Sequence, residues 1–106
     1  MGYTLNENNK GESSFSEADC KFLSKAITAT VGARQAIPAS RAAELLARHF
    51  CGDWGDVCDE DRGVNESALA NGQRLMSVYK SPDHETIWII TEWDRSVTTV
   101  LLPNEY

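Results

Sequence analysis

Long apolar runs are missing from this sequence. Nothing in its 106 residues approaches the roughly 18–20 consecutive apolar side chains that a membrane span needs. Met1 to Ser16 also lacks the basic-then-apolar order of a secretory signal. The expected location is therefore cytoplasmic, with no membrane partner. Cysteine is scarce. Cys20, Cys51 and Cys58 make an odd count without a secretory signal, which points to free thiols. Basic residues are outnumbered, 10 Lys+Arg against 16 Asp+Glu, for a net charge of −6. Affinity for a phosphate backbone rests on cationic side chains, so direct nucleic-acid binding is not expected. A basic protein partner fits that balance, and solubility alone is the competing account of it.

Motifs that announce catalysis are absent as well. There is no Gly-x-Ser-x-Gly elbow, no glycine-rich phosphate loop and only two histidines. Nothing implies a cofactor. The densest group of chemically able side chains runs from His49 through Cys51, Asp53, Asp56 and Cys58 to Asp59, Glu60 and Asp61. Its thiol spacing, His-x-Cys-x6-Cys, matches no closed tetrahedral zinc site, so no bound metal is expected. His49, Asp53 and Asp56 are the set from which a small metal-dependent enzyme of nucleic-acid metabolism would be built. Solvated acidic turns and helix caps are the ordinary alternative.

What the sequence does contain is a legible order of elements. Met1–Ser16, rich in Asn, Ser, Gly and Glu, reads as a flexible tail before a single domain over 17–106, with Ser16 and Asp19 as a weak helix cap. Ala26–Val31 is β-branched and suits a strand. Ser40 is the candidate N-cap of a helix whose Ala42, Leu45, Leu46, His49 and Phe50 form one apolar stripe. Asp59 is the candidate N-cap of a second helix, with Val64, Ala68 and Leu69 facing inward and Gly72 as its stop. Three strand candidates follow, RLMSVY, ETIWIITEW and SVTTVLLP, joined by Ser81-Pro82-Asp83-His84 and by Asp94-Arg95. The expected fold is α+β: a short N-terminal strand, two helices and a C-terminal three-stranded antiparallel meander. In the middle strand Ile87, Ile89, Thr91 and Trp93 share one face, and Trp88, Ile90 and Glu92 the other. Two short helices cover only one face, so the other calls for the Ala26–Val31 segment and tail, or for a homodimer.

The stretch between the two helices carries the strongest charge. Asp53 to Glu66 holds six acids and one base, Arg62, with Trp54 among them. A tryptophan in that setting is either a lid on the core or an exposed anchor for a partner.

RHFCGDWGDVCDEDRGVNESALANGQRLMSVYK together with IWIITEWDRSVTTVLLPNEY resembles a group of small bacterial proteins carried on plasmids and other mobile elements. They are labelled plasmid-related proteins, and some are labelled as type I restriction subunits. The similarity covers roughly residues 26–106 and is most specific at GDWGD and at TEWDRS with LLPNEY. The resemblance implies a mobile-element accessory protein, in defence or counter-defence, without implying a reaction. The leading expectation is a non-enzymatic acidic binding module that meets a basic protein, such as a nuclease or another defence component. Its contact residues would be Asp53, Trp54, Asp56, Asp59, Glu60, Asp61 and Glu66. A metal-dependent enzyme and a structural homodimeric subunit are the alternatives.

Overall fold

The computed structural model describes residues 20–106; the N-terminal tail and the Ser16–Asp19 cap lie outside them. The architecture is α+β, with strand β1 (Ala26–Ala29), helices α1 (Val31–Ala36), α2 (Ala39–Phe50) and α3 (Asp59–Asn71), and strands β2 (Leu75–Ser81), β3 (His84–Thr91) and β4 (Val97–Leu101). A 3-10 turn, Pro103–Glu105, closes the chain. β2, β3 and β4 run antiparallel in chain order, and β1 lies parallel to β4 on its far side, giving the order β1-β4-β3-β2. The sheet is thus mixed and four-stranded. Of the Ala26–Val31 segment, Ala26–Ala29 extends the sheet and Val31 opens α1, which corrects both the longer strand and the expectation of a separate shield.

α2 forms where the apolar stripe requires it. Ala42, Leu45, Leu46, His49 and Phe50 are all buried, against Tyr79, Ile87, Ile89 and Val100 on the inner face of the sheet. Its start differs from expectation. Pro38, with extended ψ of 160°, occupies the N-cap position, and its carbonyl accepts from Arg41 and Ala42, so Ser40 is an exposed first-turn residue. α1 was hidden in the sequence by Val31 and Gly32, both poor helix formers. It forms because Thr30 Oγ1 accepts from Ala33 N at 3.1 Å, and because the Glu105 carboxylate reaches from the chain end to Thr30 Oγ1 (2.5 Å), Gly32 N (3.1 Å) and Leu102 N (2.8 Å). Those donors hold the Glu105 carboxyl below its usual range, the Thr30 hydroxyl foremost.

α3 begins one residue earlier than a cap at Asp59 allows, with Cys58 in the N-cap position and Asp59, Glu60 and Asp61 in the first turn, where the helix dipole favours negative charge. Gly72, at φ 66°, ends it as expected. Its inner face differs: Ala68 is buried and Leu69 half-buried, but Val64 is 59% exposed and Asn65 points inward instead. The β3–β4 connection runs from Glu92 to Ser96 and is longer than a two-residue hairpin, with Arg95 at φ 60°. Trp93 falls beyond the end of β3 and is 66% exposed, not part of the inner face.

Candidate functional site

The conspicuous acidic connector follows the end of α2 and fastens itself to the outer edge of β2. The backbone of Trp54–Asp56 runs beside that strand: Val78 N donates to Trp54 O (3.1 Å) and Asp56 N to Val78 O (2.6 Å). Asp56 Oδ2 then accepts from Lys80 N at 2.8 Å. Asn65, from α3, treats Met76 in the same way, its Nδ2 donating to Met76 O (2.7 Å) and its Oδ1 accepting from Met76 N (3.1 Å). Met76, Val78 and Lys80 alternate with the residues bonded to β3, so these contacts meet the outward backbone groups along the edge. An Asn therefore sits where a periodicity reading expects an apolar residue, because α3 meets a strand edge at that point, while Ala68 one turn on packs with Trp54, Val57 and Leu75.

Gly55 permits this approach. It bridges to Val78 at φ 75°, and a Cβ there would collide with the Val78 carbonyl oxygen and the Tyr79 ring. Asp53 is held on the preceding turn. Arg48 grips its carboxylate through Nε (2.8 Å) and Nη2 (3.3 Å), while Oδ1 also accepts from Gly55 N at 3.1 Å. The Arg48 hydrogen bond is the main reason that the Asp53 carboxyl lies below its ordinary range. The same guanidinium lies 4.6 Å from the Tyr79 ring centroid, and Tyr79 Oη donates to Asp53 O at 2.6 Å.

Trp54 is a core residue. It is 1% exposed, stacks at 6.1 Å on Phe22, and donates its indole N–H to Glu66 Oε2 at 2.8 Å. The lid reading describes it, and its proposed place as a surface anchor is corrected. Asp53, Asp56 and Glu66 are exposed but engaged with the fold. Asp59, at 4.0 Å from Arg62, and Glu60 and Asp61 stand on the open first turn of α3. The structure thus leaves the carboxylates at the surface and takes the tryptophan inside.

His49 belongs to another constellation. It is fully buried, with Nδ1 2.6 Å from Ser77 Oγ and Nε2 2.9 Å from Thr91 Oγ1. Thr91 Oγ1 bonds Thr98 Oγ1 (2.7 Å), which donates to Ser24 Oγ (2.7 Å), and Ser24 donates to Ala26 O (3.1 Å). This chain of side chains crosses beneath the sheet from β2 to the residues leading into β1. Burial, reinforced by the positive charge of Arg95, pulls the His49 pKa down to about 3, so the ring is neutral near neutral pH. Both ring nitrogens are spent inside the core, so His49 does not join Asp53 and Asp56 as a ligand set. Among the described residues no three His, Cys, Asp or Glu side chains are grouped to hold a metal ion. Cys51 is half-buried, Cys58 exposed, and both are free thiols. No helix among the described residues is long and apolar enough to cross a membrane.

The fold and its acidic flank define a small α+β domain with one clamped sheet edge. Comparison of the chain with protein-family models, curated proteins and solved structures gives no match.

Proposed function

We propose that this protein is a non-enzymatic binding module of a mobile element, whose acidic flank docks on a basic protein such as a nuclease or other defence component. The observation that carries this reading is the fastening of the connector. Asp53 and Asp56 ride on a segment bonded to β2, and Asp59, Glu60 and Asp61 extend the same charge onto a helix tied to that edge through Asn65. Carboxylates fixed in advance bind cationic groups with less ordering cost than mobile ones, and their field speeds encounter. The sealed hydrogen bonding of His49 supports binding over metal-assisted catalysis at this site. The mobile-element setting rests on the resemblance of GDWGD and of the C-terminal strands.

The test is quantitative capture from the native host with the intact protein and with a triple variant, Asp59→Asn, Glu60→Gln and Asp61→Asn, whose fold is checked by circular dichroism. The intact protein should retain a basic protein in a salt-sensitive manner, and neutralisation should weaken that retention by about tenfold or more. Equal retention by both forms overturns the reading.

A further inference from the structure

The two edges of the sheet are treated differently. The edge of β2 is closed by the connector, whereas among the described residues no strand or loop pairs with the outer edge of β1. Ala26 N and Thr30 N donate toward β4, to Ser96 O (3.1 Å) and Val100 O (3.0 Å). In a parallel ladder the alternate residues, Ile27 and Ala29, therefore turn their N–H and C=O groups away from β4. α1 turns in over β3 and β4. The usual guards of an edge, a proline, a bulge or a charged side chain, are absent within AITA.

Exposed apolar side chains flank the strand at both ends. Leu23 (45% exposed) precedes β1 and Val31 (66%) follows it. Trp93 (66%) stands on the β3–β4 turn, which is joined to this segment by Lys25 N donating to Arg95 O at 3.0 Å. Charge also distinguishes the segment: residues 20–43 hold four bases and no acid in a chain of net charge −6, and the Glu105 carboxylate that reaches it is spent on Thr30 and Gly32. Two copies can approach here with their acidic connectors at the far ends, where mutual repulsion is weakest.

We infer that the outer edge of β1 pairs antiparallel with β1 of a second copy, joining two sheets into one of eight strands. A two-fold axis at Thr28 sets Ile27 opposite Ala29 of the second copy, and the reverse. Each of those two reciprocal pairs exchanges two backbone hydrogen bonds. Leu23, Val31 and Trp93 form the apolar rim. The dimer would hold two acidic flanks facing outward, suited to a partner with repeated basic sites. This inference stands apart from the binding reading, because its measurements require no partner.

The experiment is light scattering of the full chain across the micromolar range, with amide hydrogen exchange measured on the same samples. The expected result is a dimer, with the Ile27 and Ala29 amides protected at high concentration and exchanging faster on dilution. Ile27→Pro removes an outward N–H that the fold itself does not use, and should raise the dissociation constant by about tenfold or more. Val31→Lys, on the exposed rim, should weaken the dimer too, and decides the matter if the proline variant does not fold. A monomer throughout the range overturns the inference. So does a dimer whose Ile27 and Ala29 amides exchange freely, which would move the interface elsewhere. Protection that does not change with dilution also overturns it, since the edge would then be covered within one chain.

Discussion

The β2 edge and the β1 edge are both ends of one sheet, yet the chain spends a motif on the first and four unremarkable residues on the second. At β2 the connector backbone, an aspartate and an asparagine meet the outward groups of Met76, Val78 and Lys80. At β1 the outward groups of Ile27 and Ala29 meet no described neighbour. A buried or clamped strand edge is a stability element, while an open one is a surface with unspent hydrogen bonds. The lesson is that the densest cluster of polar residues in a sequence can serve the fold first. GDWGD looks like a site for a ligand, but Gly55, the backbones of Trp54 and Asp56 and one Asp56 oxygen close the sheet, while both Asp53 oxygens hold the turn before it.

The sharpest way to break this comparison is to unfasten the clamp. Gly55→Val places a side chain against the Val78 carbonyl at a positive φ, and should cost about 3–5 kcal/mol in urea unfolding. A variant as stable as the parent would show that the β2 edge holds without its bridge. Asn65→Ala should cost less, about 2–3 kcal/mol, because it strands the Met76 N–H and C=O that the amide satisfies. It should also accelerate amide exchange at Met76 while leaving Ile27 and Ala29 unchanged. Equal acceleration at both edges would mean that the two are not independent.

A more gradual effect, spread over pH, concerns the His49 chain of bonds that links the two sides. The folded pKa of His49 is about 3 against an ordinary 6.5, so the unfolded state takes up a proton that the folded state refuses. Its stabilising contribution is therefore complete above pH 6.5 and is lost as pH falls toward 3, by at most about 1.4 kcal/mol per pH unit. The carboxyls of Asp53 and Glu105, lowered from 3.8 and 4.5, begin to lose their contribution only below those values. Stability measured between pH 6.5 and 4.5 isolates the histidine, and His49→Gln should flatten that interval. An already flat profile in the parent would mean that the ring is not sealed.

Much of the fold was legible in local pattern. The stripe Ala42, Leu45, Leu46, His49 and Phe50 named the inner face of α2, since helical period alone brings those positions together. Gly72 marked the end of α3, and Ser81 to His84 the β2–β3 turn. The acidic flank was legible too, as a count of charges. Other features were not, and for related reasons. α1 depends on Glu105, 73 residues after Gly32, and no local propensity reports that contact. Asn65 displaced Val64 from the inner face because the surface it meets is a strand edge. Trp54 took the inner of the two places open to it, and Trp93 left the inner face expected for it. Both lie next to aspartates in sequence, and only the path of the backbone separates the indole inside from the one outside.

The sequence by itself determined the α+β class, the burial of α2, the antiparallel run of the last three strands and the acidic charge between α2 and β2. These follow from side-chain periodicity, turn chemistry and counting, which act over a few residues. Tertiary structure decided that β1 runs parallel beside β4, that Gly55 and Asn65 close one edge of the sheet, and that His49 is sealed among hydroxyls. Each of those outcomes is a contact between segments far apart in the chain. Its free energy depends on which backbone groups are still unpaired when the segments meet, and a linear pattern does not carry that information.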